Sequence, residues 1–157
     1  MTFRRQTPQL LDDEHRASLA LYGRLEHALA ARDRPAVDRL GAALARHLED
    51  EVIRHFGFEE RELFPLLAAA GEGDIAELLA EEHAAVREIA EVLLPLARAG
   101  PASLGEADYE TFRRHALELC ERQVAHIQKE SMALLPMLDD LIDDETDRTL
   151  SLAGASG

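Results

Sequence analysis

Four histidines and two glutamates recur in this chain at a duplicated spacing. LLDDEH ends on His15 and LLAEEH ends on His83, 68 residues later. HFGFEERELFPLL opens on His55 and HIQKESMALLPML on His126, 71 residues later, each with a glutamate four places on, Glu59 and Glu130. Residues i and i+4 stack on one helix face, so each HxxxE pair can present an imidazole and a carboxylate to one small volume. Mixed imidazole and carboxylate donors suit iron, manganese, zinc or copper, and a carboxylate has two oxygens with which to bridge two cations. The inventory suits two metals, with Glu59 and Glu130 spanning the pair and His15, His55, His83 and His126 capping its ends two by two. A lone inward histidine, or a lone HxxxE, would read as a hydrogen-bonded core group or an ion pair. Six such groups in a repeat call for a cation.

The remaining histidines fail the same test. His115 precedes His126 by eleven residues, which puts it ~16 Å up a helix axis. His47 lies two turns before His55, and its counterpart in the repeat is Glu118; the His47/Glu51 pair reads as a surface pair, with Glu51 a candidate acceptor one turn from His55. His27 has no histidine counterpart. Cys120, about a turn and a half before His126, reads as a small buried hydrophobe.

The elements that must position these groups follow from the punctuation. Breaks at Asp33 to Pro35, Gly71 to Asp74 and Gly100 to Gly105 cut the chain into four helical stretches, roughly 9–32, 36–69, 74–99 and 105–140. Apolar residues in each follow the helical period; in the second they are Val37, Leu40, Leu44, Leu48, Val52, Leu63 and Leu66. Short connections between long amphipathic helices predict an all-α, up-down-up-down antiparallel four-helix bundle. The six singled-out residues interrupt the apolar stripes. Buried, Glu59 and Glu130 each need a proton, a base or a cation as partner, and no Lys or Arg shares their stripe. Folding the two hairpins together with pseudo-two-fold symmetry would bring the six groups to one level. The reading is of a single domain over 1–157, with its core at about 10–138 and an acidic tail, 139–157, that adds one short helical turn and frays.

Bulk composition excludes other roles. Thirty-one acids against seventeen bases leave a net charge of −14, which repels nucleic acid and anionic membranes. No apolar run is long enough to span a bilayer, and the start of the chain lacks the apolar core of a signal peptide. With a single cysteine as well, the cytoplasm is the expected compartment.

These residues carry a resemblance. The combination Asp13-Glu14-His15 with HxxxEExxLFP from His55 to Pro65, then His83, then His126 and Glu130, resembles the hemerythrin-like (HHE cation-binding) family over roughly 10–138. The resemblance implies a bundle holding two iron ions bridged by an oxo or hydroxo group, with zinc or manganese as substitutes. It implies His15, His55, Glu59, His83, His126 and Glu130 as the metal ligands. Two departures stand out. Oxygen-carrying members have a histidine where this chain has Arg87, and an aspartate five residues after the last histidine where this chain has Glu130 after four. A missing ligand leaves an open position at which small molecules bind or react. Arg87 itself reads as a solvent-facing salt bridge, and Tyr22 and Tyr109 as packing residues.

The expected function is to bind O2, NO or peroxide for sensing, storage or stress response, closer to a metal- and oxygen-binding protein than to a dedicated enzyme; the resemblance is compatible with a homodimer. Two alternatives stay open. One is a di-iron enzyme that removes peroxide or NO or donates iron for cluster repair, although repair-type members usually carry an added cysteine-bearing N-terminal segment that these residues lack. The other is a metal-free interaction bundle.

Overall fold

The structure is a computed structural model that describes residues 2–156. Among them there is helix, turn and bend but no strand. α1 is Gln6–Ala30, α2 covers 34–69, α3 is Gly73–Ala99, α4 covers 106–141 and α5 is Asp144–Ser156. No helix among the described residues is long and apolar enough to cross a membrane.

The ends of these helices have local causes. α1 closes at Arg32, a left-handed residue (φ 55°), after which the Asp33 amide bonds back to the Ala28 carbonyl. Asp33 then caps α2 by accepting from the Ala36 amide, with Pro35 in the first turn. Glycines with positive φ, Gly71 and Gly100, terminate α2 and α3. Gly41 has a different purpose, because a Cβ there would meet the Pro101 ring at 2.6 Å. That close approach seats α2 against the turn that follows α3.

Two helices carry wide π turns. α2 has them at Glu51–His55 and Glu59–Leu63, and α4 has one at Glu130–Leu134. Each is closed by an amide reaching five residues back: Phe56 to Glu51, Phe64 to Glu59, and Leu135 to Glu130. The second and third are each followed within two residues by a proline, Pro65 or Pro136. Proline has no amide hydrogen and its ring collides with the carbonyl four residues back, so widening the preceding turn relieves the clash.

Neighbouring helices pack through matched residues. Tyr22 and Glu14 of α1 meet His47 and His55 of α2, Glu60 of α2 meets His83 of α3, and Glu82 of α3 meets His126 of α4. His15 of α1 meets Glu130 of α4. The apolar interior falls into two clusters. One includes Leu25, Leu44, Leu93 and Phe112; the other includes Leu11, Leu63, Leu79 and Leu138. The six candidate ligands lie at the level that separates them.

The tail departs from expectation. Rather than one turn that frays, residues 144–156 form α5, which packs on α1 and buries Leu150 and Ser151. Asp147 explains why. Its carboxylate accepts the first amides of α1, from Gln6 and Thr7, at 2.8 Å each. The cap that starts α1 at Gln6 therefore comes from the far end of the chain, and a local reading of the N-terminus could not find it.

Candidate metal centre

His15, His55, Glu59, His83, His126 and Glu130 are all buried, none more than 2% exposed. The structure brings them together as two groups that share both glutamates: His15, His55, Glu59 and Glu130, and Glu59, His83, His126 and Glu130. Within each group the potential ligand atoms lie within 4.8 Å of one another. The closer contacts are His15 Nε2 to Glu130 Oε1 at 3.0 Å, His55 Nε2 to Glu59 Oε1 at 3.4 Å, His83 Nε2 to Glu59 Oε1 at 3.2 Å and His126 Nε2 to Glu130 Oε2 at 3.5 Å. Metal–nitrogen and metal–oxygen bonds of ~2.0–2.2 Å place two donors of one ion about 3 to 4.3 Å apart. The cluster has that scale.

The outward edges of the imidazoles show which atoms are free. His55 Nδ1 bonds Glu14 at 2.7 Å, His83 Nδ1 bonds Glu60 at 2.7 Å and His126 Nδ1 bonds Glu82 at 2.8 Å. A carboxylate on Nδ1 holds that hydrogen and fixes the ring, so the neutral imidazole turns a bare Nε2 inward. The Nε2 atoms of His83 and His126 then face each other at 3.1 Å. Four buried atoms at the centre have no hydrogen-bond partner: His55 Nε2, both Glu59 oxygens and Glu130 Oε2. Acceptors packed against acceptors in a buried site need protons or cations between them.

Electrostatics without a cation tell the same story. Burial, then the field of Glu130, push the Glu59 carboxyl up. Burial alone would also raise Glu130, but its interaction with the Glu59 carboxyl and with His126 and His15 holds it well below the usual range. Of the two carboxyls, Glu59 thus holds a proton the more tightly. Burial opposes charge on His126 as well, yet Glu130 outweighs it and lifts this imidazole to about 9. His55 is raised by Glu59 and Glu51 against the same opposing burial. A cation would replace these protons.

Several contributors were not singled out from the sequence. Glu14, Glu60 and Glu82 stand beside residues already quoted, in DDEH, FEE and AEEH, and each orients a ring on another helix. The repeat is unequal here, since the counterpart of Glu60 is Ser131, whose Oγ lies 3.5 Å from His15 Nδ1. Phe56 stacks on His83 with centroids 3.8 Å apart and planes 6° from parallel, closing the centre on that side. Arg87 pairs with Glu60 at 2.9 Å, at the half-exposed rim. Arg54 joins Glu14 to the Gly154 carbonyl of α5, at 2.7 Å on each side.

Residues set aside fall variously. His115 bonds the Thr111 carbonyl, away from the centre. Cys120 is fully buried, and burial pushes its thiol up to about 12, as suits a hydrophobe. Tyr109 packs under the Arg34 guanidinium. The expected surface pair of His47 and Glu51 is corrected: Glu51 is only 5% exposed, 3.9 Å from His55 Nε2, and His47 is half-buried on the Tyr22 hydroxyl at 2.7 Å. The π turn that begins at Glu51 rotates this carboxylate inward.

The family model described as the hemerythrin HHE cation-binding domain matches residues 7–147. No curated protein and no solved structure matches the chain. The matched span takes in all six inward groups and most of the helical frame that carries them, and the chain belongs to the hemerythrin HHE cation-binding domain family.

Proposed function

We propose that this chain folds as one domain, an up-down-up-down antiparallel bundle closed by α5, that holds two iron ions and binds O2, NO or peroxide for sensing, storage or stress response. The pairing of early α1 with late α4, and of late α2 with early α3, supports that topology. His15 and His55 would serve one ion and His83 and His126 the other, with Glu59 and Glu130 between them. The observation that carries the reading is the set of buried acceptors aimed at one another with no donor. When bound, redox-active cations supply electrons and open coordination positions to the small ligand. The chain orients the imidazoles through Glu14, Glu60 and Glu82, excludes water with Phe56 and Phe64, and spends Arg87 on a rim ion pair. A cytoplasmic setting and a net charge that repels nucleic acid fit this role.

The second reading, an enzyme that removes peroxide or NO, draws on the same open positions; catalytic turnover with either substrate would favour it. The decisive test is metal analysis of protein purified without a histidine tag, followed by its absorption spectrum in air. Two irons per chain with charge-transfer absorption are expected. One zinc, or no metal together with identical melting in the presence and absence of a chelator, would reject the paired iron centre.

A further inference from the structure

We propose that Glu51 is a seventh coordinating side chain, serving only the cation at the His15/His55 end and giving that end a preference for harder, carboxylate-favouring cations. The inference rests on the paired centre proposed above.

Glu51 is buried, yet among the described residues no N–H or O–H lies within hydrogen-bonding distance of its carboxylate. Two imidazole nitrogens stand near it, His55 Nε2 at 3.9 Å and His47 Nε2 at 3.8 Å. Both contacts are longer than a hydrogen bond. His55 gives its Nδ1 hydrogen to Glu14. Gln123 Nε2 donates to the Tyr22 oxygen at 2.9 Å, so the Tyr22 O–H is left to donate to His47 Nε2 at 2.7 Å. Burial, then the field of Glu51, hold the Tyr22 phenol protonated, in keeping with that direction. A largely buried carboxylate that accepts no hydrogen bond is stabilised by a cation beside it. A separation of 3.9 Å from His55 Nε2 falls within the ~3 to 4.3 Å that separates two donors on one first-row ion; Glu51 stands outside the group whose donors all lie within 4.8 Å of one another, so it would coordinate once its side chain turns toward the ion.

The repeat supplies a second, independent observation. The π turns at Glu59–Leu63 and Glu130–Leu134 correspond to each other and belong to the shared part of the centre. The turn at Glu51–His55 has no partner: α4 is regular α-helix over the matching residues, and the counterpart of Glu51 is Arg122, which faces outward and pairs with Glu118 at 3.0 Å. Isolated π turns concentrate at functional sites. This one adds a carboxylate to a single end of an otherwise symmetric centre. That end would then offer two imidazoles and three carboxylates against two and two, a difference that favours Mn2+ or Fe2+ over the more imidazole-seeking Zn2+ or Cu2+.

The test uses the full chain stripped of metal by a chelator and titrated with Co2+, whose visible absorption weakens as coordination number rises. Wild type should load in two unequal steps. In Glu51→Gln, which keeps the shape and removes a buried charge, one step should weaken by about 10–100-fold with stronger absorption, while the other stays unchanged. Two unchanged steps with an unchanged spectrum would overturn the role of Glu51 alone. Absence of any uptake by wild type would overturn the paired centre and this assignment with it. Mn2+ against Zn2+ competition on wild type gives a readout that depends on no variant: unequal preference at the two steps supports the proposal, and equal preference overturns it.

Discussion

The outward Nδ1 edge of each inward imidazole but His15 is held by a carboxylate on a different helix, so the geometry of the centre depends on residues that themselves touch solvent. Glu82 is the clearest case, bonded to His126 Nδ1 at 2.8 Å and to Lys129. Burial works against its charge, but Lys129 and His126 together hold its pKa below the ordinary value. Glu82→Gln should weaken cation binding on the His126 side by about 10–100-fold and leave the fold intact, as isothermal titration would measure. An unchanged affinity would mean that the bundle alone fixes the ring. The inward residues were legible because charge on an apolar stripe is anomalous. Glu14, Glu60 and Glu82 were not, since a half-exposed glutamate on a helix is the commonest of surface residues and only three-dimensional pairing gives it a role.

At the scale of elements, helix period recovered the four long helices, but the phase along α2 slipped. A strict period places Val52 and Leu66 on the buried face, whereas Glu51 and Leu67 occupy it and the other two are only half-buried. Each π turn inserts an extra residue into a turn, and no propensity scale announces it. The repeated placement of proline six residues after each inward glutamate, Glu59 with Pro65 and Glu130 with Pro136, was the available sign. Proline in a helix interior costs ~3 kcal/mol. Pro136→Ala should therefore raise the melting temperature of the metal-free protein while lowering cation affinity about tenfold, because a regular turn would swing Glu130 away. Melting curves and metal titration on one variant check both halves. A parallel rise in both quantities would show that the wide turn does not position the carboxylate.

For the molecule as a whole, the two ends of the chain stabilise each other. Asp147 caps α1, and Arg5 forms an ion pair with Asp144. Burial raises the Asp147 carboxyl, but the amides of Gln6 and Thr7 outweigh that and keep its pKa below the ordinary 3.8. The contribution it makes is accordingly full above 3.8 and disappears as pH falls through the lower folded-state value. Asp147→Asn should cost about 1 kcal/mol at neutral pH, an amount that shrinks toward zero in acid; chemical denaturation at two pH values measures it. An equal loss at both would rule out the charged cap. The anchored tail escaped the sequence because its partner amides lie some 140 residues away.

α5 is joined to the centre by one continuous line of contacts: the Gly154 carbonyl holds Arg54, Arg54 holds Glu14, and Glu14 holds His55. Traction on the carboxyl end of the chain is thereby delivered to a single imidazole. A fusion or a tether at that end would tug on the His55 side of the candidate centre and leave the other at rest.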